Sequence, residues 1–133
     1  MRFLSGDDIM TALTRPGVME AVERALALYE SGDYEMPERL NVACGDRDLF
    51  LLMPCVAAGS VVAKVLTIYP DNPAHGRPMI QGIVLLADQA TGEFLALMDA
   101  KTVTAMRTGA VSGVSIRYLA PPDASSVGLV GCG

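Results

Sequence analysis

The sequence predicts an α/β fold of the α+β type: two N-terminal helices, a mostly antiparallel or mixed sheet of about five strands, a long helix, and a closing strand that runs into glycine. Three observations carry this. Apolar residues recur at helical spacing as far as Ser31-Gly32, the texture changes after Glu38 to short apolar runs between turn residues, and helical spacing returns from Asp99 to Leu119.

Ser5 followed by Asp7 and Asp8 has the form of a helix cap with acids in the first turn, leading into Ile9, Met10 and Leu13. Thr14-Arg15-Pro16 restarts the chain with a capping hydroxyl and an early proline. Val18, Val22, Ala25, Leu26 and Tyr29 then form the apolar stripe of a second helix. Strands are expected over Arg39 to Cys44, Leu49 to Pro54, Ser60 to Tyr69, Met79 to Asp88 and Glu93 to Met98. Gly45 to Asp48, Ala58-Gly59 and Gln89 to Gly92 are short enough to be hairpin connections. Pro70 to Pro78, with His75, is longer than a tight hairpin needs, and such loops often line sites. Asp99 or Thr102 can cap the long helix, which Ala120-Pro121-Pro122 stops. Ser126 to Val130 reads as a buried strand entering Gly131-Cys132-Gly133.

Composition bounds the function. A chain of 133 residues that is 51% hydrophobic suits one compact domain. Its most apolar window, Leu49 to Ala63, is interrupted by Pro54, Gly59 and Ser60, which argues against a spanning helix. Met1 to Leu4 reaches Asp7 and Asp8 before an apolar signal core can form, so a cytoplasmic protein is expected. A net charge of −5, with no basic run, gives no electrostatic footprint for nucleic acid. Cys44, Cys55 and Cys132 lie at neither metal-ligand nor redox-motif spacing and read as ordinary thiols. The apolar content is high for so small a chain, so part of its surface is expected to meet another subunit or domain.

Gly131-Cys132-Gly133 after an apolar run has the form of the first half of a G-x-G-x-x-G loop. In such loops glycines let the backbone approach a pyrophosphate at a helix N-terminus. A flexible glycine tail looks the same. The region before it, Met106-Arg107-Thr108-Gly109-Ala110-Val111-Ser112-Gly113 and then Tyr118 to Pro121, adds specificity. Arginine-threonine helix, proline stop and strand into glycine together resemble the ornithine cyclodeaminase/mu-crystallin family. Pro37-Glu38-Arg39, Lys64 in its strand, the Pro-rich loop with Gly76, Gln81-Gly82, and Asp88 to Gly92 fall in the family's order.

The resemblance implies a substrate-binding and dimerisation domain over 1–122. Over 123–133 it implies the first strand and partial glycine loop of a truncated Rossmann domain. It implies NAD or NADP as cofactor, an amino- or imino-acid substrate, a homodimer, and either cyclodeamination or oxidoreduction at a C–N bond. It implies that Arg39, Lys64 and Arg107 hold the substrate, with Lys64 also catalytic, and that Arg107, Thr108, Gly131 and Gly133 meet the cofactor. The family's acid-base aspartate and ribose-binding acid belong to the Rossmann domain. The chain alone is therefore expected to be inactive, with a separate Rossmann-domain polypeptide as one possible partner. A non-enzymatic ligand-binding or dimerisation module is the alternative.

The residues support part of this independently. An amino acid presents a carboxylate that a guanidinium can grip in bidentate fashion. Lys64 interrupts Ser60 to Leu66, and a charge in a buried strand needs a partner, a ligand, or a route for its head to water. Arg39 reads equally as a surface strand residue. Gly109 and Gly113 weaken a helix unless something must come close, either cofactor or neighbouring backbone. His75 reads as a solvated loop histidine and Asp88 as a turn residue. Met79 stands where some family members carry threonine near the nicotinamide. No metal site is expected.

Overall fold

The computed structural model describes residues 1–131, with elements in the order β1 (Arg2–Leu4), α1 (Gly6–Ala12), α2 (Arg15–Ser31), β2 (Tyr34–Glu35), β3 (Leu40–Ala43), β4 (Leu49–Ala57), β5 (Ser60–Ile68), β6 (Ile80–Asp88), β7 (Phe94–Asp99) and α3 (Ala100–Leu119). The helices begin where side chains can satisfy their orphan amides. Asp8 N–H donates to Ser5 Oγ and the Asp8 carboxylate accepts from Ser5 N–H, closing a capping box on α1. Thr14 accepts from Gly17 N–H at the start of α2, and the Asp99 carboxylate accepts from Thr102 N–H, 2.6 Å, at the start of α3. Asp99, rather than Thr102, is thus the cap of the long helix.

The strands form one seven-stranded sheet in the order β1-β7-β6-β5-β4-β2, with β3 also paired to β4. All pairings are antiparallel except β1 with β7. Ala58 (φ 49°) and Gly59 (φ 74°) make the two-residue turn from β4 to β5, a left-handed pair that suits the twist of a tight hairpin. The sheet has two more strands than the five expected. Both are short, β1 of three residues and β2 of two, and exist only through pairing with β7 and β4.

One expectation is corrected. Ser126 to Val130 forms no strand, and Val127, Leu129 and Val130 are exposed. A buried strand of this type needs neighbours on its edges and faces. Among the described residues it has none.

α3 packs on β5, β6 and β7, while α2 packs on α3 and α1 fits between α3 and the β1–β7 end of the sheet. Register puts Met53, Lys64, Val84 and Met98 in one row across the sheet. Alternation places this row on one face with Leu51, Leu66, Gly82 and Ala96. Of the four buried sheet residues, Leu51, Val84 and Ala96 lie on that face, which α3 covers over β5, β6 and β7, while Ala87 follows the register shift in β6 and pairs with Val61. The opposite face carries the row Leu40, Leu52, Val65 and Ile83. It stays open: Leu40 is 54% and Ile83 42% exposed. Among the described residues no helix is long and apolar enough to cross a membrane.

Candidate active site

The sheet opens at one place. β3 pairs with β4 from Leu49 to Leu52 and β2 pairs with it at Val56 and Ala57, so Met53 to Cys55 have no partner on that side. Pro54 sits in this gap, where a strand tolerates a residue without an N–H. The linker between β2 and β3, residues 36–39, spans the opening. With Met53, Pro54, Lys64 and Arg107 it encloses a cleft of about 730 Å³.

Three cations converge on this cleft from separate parts of the chain: Arg39 from the residue before β3, Lys64 from the middle of β5, and Arg107 from the second turn of α3. Continuing the β3–β4 register by one residue sets Arg39 opposite Met53, which itself pairs with Lys64. Alternation therefore brings Arg39 and Lys64 to the same face, and α3 crosses above them to supply Arg107. Lys64 is half-buried. Its pKa is lowered, first by burial, which disfavours the charged form, and then by the like charges of Arg107 and Arg39. The ion pairs among the described residues are Arg47–Asp71 and Arg117–Glu23, so none ties down a cleft cation.

Lys64 also borders a second cleft of about 760 Å³ between β5, β6 and α3. Its walls are mainly apolar, with Leu66, Ile80 and Ala105 among them, and Thr108 and Gly109 face it from α3. Arg107 and Thr108, adjacent in sequence, thus line neighbouring clefts with Lys64 common to both. The Thr108 hydroxyl donates to Thr104 C=O at 2.7 Å, leaving its oxygen free to accept. The two α3 glycines have different causes. A Cβ on Gly113 would stand 3.2 Å from Met19 of α2, so that glycine serves helix packing, whereas a Cβ on Gly109 would meet nothing within 4 Å.

Other candidates fall outside these clefts. His75 ends a short 3-10 turn over Asn72–His75 and lines neither. The Asp88 carboxylate accepts from Thr91 N–H and Oγ–H, both 2.8 Å, which makes it a turn residue and lowers its pKa. Met79 is exposed just before β6. Gly131 has a left-handed φ of 83° but follows the unpaired segment, and Gly133 lies outside the described residues. Among the described residues no group of three His, Cys, Asp or Glu is placed to hold a metal ion. Sequence reasoning missed Asn41, Met53 and Lys101 as cleft residues. Asn41, two residues from Arg39 on the same strand face, was recoverable from alternation; Met53 required the hairpin register.

The ornithine cyclodeaminase/mu-crystallin family model matches residues 2–133. Alanine dehydrogenase of Archaeoglobus fulgidus is 34% identical over 130 residues, which are 98% of this chain and 40% of that protein. Among solved structures, an archaeal alanine dehydrogenase dimer with bound NAD superposes with a TM-score of 0.91 at 32% identity, over 100% of this chain and 41% of that one. Delta(1)-pyrroline-2-carboxylate reductase of Thermococcus litoralis, solved with NADH and L-proline, gives 0.83 at 36% identity, over 92% of this chain and 39% of that one. The chain thus spans about 40% of the length of these relatives. Fold, sequence and the order of its motifs agree: this chain belongs to the ornithine cyclodeaminase/mu-crystallin family.

Proposed function

We propose that this chain is the substrate-holding part of an NAD(P)-dependent enzyme that acts on an amino or imino acid at its C–N bond. The observation that carries the reading is the convergence of Arg39, Lys64 and Arg107 on one cleft. A carboxylate entering it meets the exposed guanidinium forks of Arg39 and Arg107 and the half-buried ammonium of Lys64, and charge-assisted hydrogen bonds of this kind are the strong ones. Arg39 and Arg107 hold the carboxylate. Lys64, with its depressed pKa, orients the substrate nitrogen and exchanges a proton with it.

The second cleft fits one end of the cofactor. Its apolar walls and the open space over Gly109 accommodate a flat ring beside Lys64, with Arg107 and Thr108 at the junction. Bound there, a nicotinamide supplies hydride acceptance and donation. The described residues build no phosphate cradle, because the segment before Gly131 has no strand partner. Gly131 and Gly133 are assigned to that cradle on the family pattern alone.

The partner at the open sheet face is a second copy of the chain. Leu40, Ile83 and Phe3, the last 72% exposed, are the kind of apolar surface that a stable dimer buries. The related archaeal alanine dehydrogenase is described as a dimer.

The test is NAD(P)H oxidation with Δ1-pyrroline-2-carboxylate, and with pyruvate plus ammonia, by the polypeptide that joins this chain to a dinucleotide-binding domain. Arg39→Ala and Arg107→Ala should each raise KM through the loss of about 1.5–3 kcal/mol of charged hydrogen bonding. Lys64→Met should lower kcat. Unchanged kinetics in all three variants would overturn the assignment.

A further inference from the structure

β2 and β3 pair with the same edge of β4, but in two registers. Tyr34 stands opposite Ala57 and Glu35 opposite Val56, whereas Leu40 stands opposite Leu52, so the four residues 36–39 span the three residues 53–55. The extra residue lifts the linker off the sheet edge as a bulge does. It also exchanges the two faces of the strand. Tyr34 lies with Ala57 on the face that carries Lys64, and beyond the linker Asn41, opposite Leu51, lies on that face, with Arg39 two residues before it.

A flush ladder is the competing arrangement. Carrying the β3 register onward would set Glu38 opposite Pro54, Pro37 opposite Cys55 and Glu35 opposite Ala57. The gap in the sheet would close, and the linker would cease to be a cleft wall. Pro37 and Pro54 oppose this, because neither brings an N–H to such a ladder. Tyr34 opposes it too, since a one-residue slip turns its side chain to the other face. In place, its ring lies on that of Tyr29 of α2, with centroids 5.3 Å apart and planes 16° from parallel. The corner between α2 and β2 is tight. Gly32 takes a left-handed φ of 76°, Tyr34 N–H donates to Gly32 C=O at 2.9 Å, and the Ser31 hydroxyl donates to the Asp33 carboxylate at 2.8 Å.

Resting on the reading above, we propose that Tyr34 is a positioning residue for the substrate: stacked on Tyr29, it holds β2 one residue out of step with β3. That step keeps residues 36–39 standing off the sheet as the wall that leads into Arg39. Tyr34 acts through the linker, since it does not itself line the cleft.

The experiment is steady-state kinetics with Δ1-pyrroline-2-carboxylate in the polypeptide that joins this chain to a dinucleotide-binding domain, with amide hydrogen exchange as a second readout. Tyr34→Leu, which stays apolar but loses the stack, should raise KM about two- to tenfold and leave kcat unchanged. Tyr34→Phe keeps the ring and should retain the wild-type KM. Tyr29→Leu, which alters no sheet residue, should match Tyr34→Leu. Exchange should quicken from Tyr34 to Arg39 in both leucine variants and stay as in the wild type over β3. In an Arg39→Ala background the effect of Tyr34→Leu on KM should shrink, because the two residues act on one contact. A wild-type KM in both leucine variants, with Arg39→Ala raising KM, would overturn the register lock and leave the carboxylate grip standing. A KM raised equally by Tyr34→Phe, or exchange quickened throughout the sheet, would also overturn it, by assigning the effect to general stability. If Arg39→Ala leaves KM unchanged, the functional reading itself falls, and the exchange pattern alone decides whether Tyr34 holds the linker.

Discussion

Lys64 on β5 and Arg107 on α3 face one cleft from opposite walls, and no ion pair among the described residues joins either to an acid. Burial and then the Arg107 charge hold the Lys64 pKa below the ordinary lysine value. Such an arrangement costs the fold stability and makes sense where a ligand supplies the missing negative charge.

The cost is measurable. A lysine whose folded pKa lies below its unfolded one binds fewer protons in the folded state between those two values, so stability rises with pH across that window. Lys64→Met should therefore raise Tm at neutral pH by a few degrees. The gain should shrink as pH rises through the folded Lys64 pKa and vanish above the ordinary lysine value. Thermal unfolding from neutral to strongly alkaline pH checks this, and a Tm gain independent of pH would assign the effect to packing instead.

Gly109 and Gly82 should respond in opposite ways to the same substitution. Gly109→Ala places a methyl in open space within a helix and should stabilise by about 0.8–1 kcal/mol, while narrowing the cleft beside Thr108. Gly82→Ala drives a methyl to 2.5 Å from Val65 C=O, a backbone atom, and should destabilise by about 1–3 kcal/mol. Urea unfolding of both variants reads the two signs directly.

The open sheet face predicts an oligomeric state. Ile83→Glu puts a charge on that face, with its side chain directed away from the Lys64–Val84 row, and should convert a dimer into a monomer that keeps its carboxylate site. Sedimentation velocity on the wild type and the variant decides the matter, with identical profiles excluding this face as the contact.

Local features of the fold were legible because their causes are local. Ser5, Thr14 and Asp99 cap the helices they precede, and Ala58-Gly59 makes the turn its composition suggests. β1 and β2 were not legible, since Arg2–Leu4 and Tyr34–Glu35 become strands only by pairing with distant partners. The opposite error arose at Ser126 to Val130, an apolar run that reads as a strand and forms none without neighbours. In the site, Lys64 stood out as a charge inside an apolar run. The meeting of Arg39, Lys64 and Arg107 was implied by family resemblance, because hairpin register and the crossing of α3 cannot be read from local pattern.

The most direct measurement is a ¹H–¹⁵N NMR titration of the chain with L-proline, repeated on Arg39→Ala and Arg107→Ala. The account predicts saturable shifts confined to the 36–41 linker, the Met53–Pro54 gap, Lys64 and the Arg107 turn of α3, with affinity weakened in both variants. Shifts that are absent, that map to another surface, or that persist unchanged in the variants would contradict it.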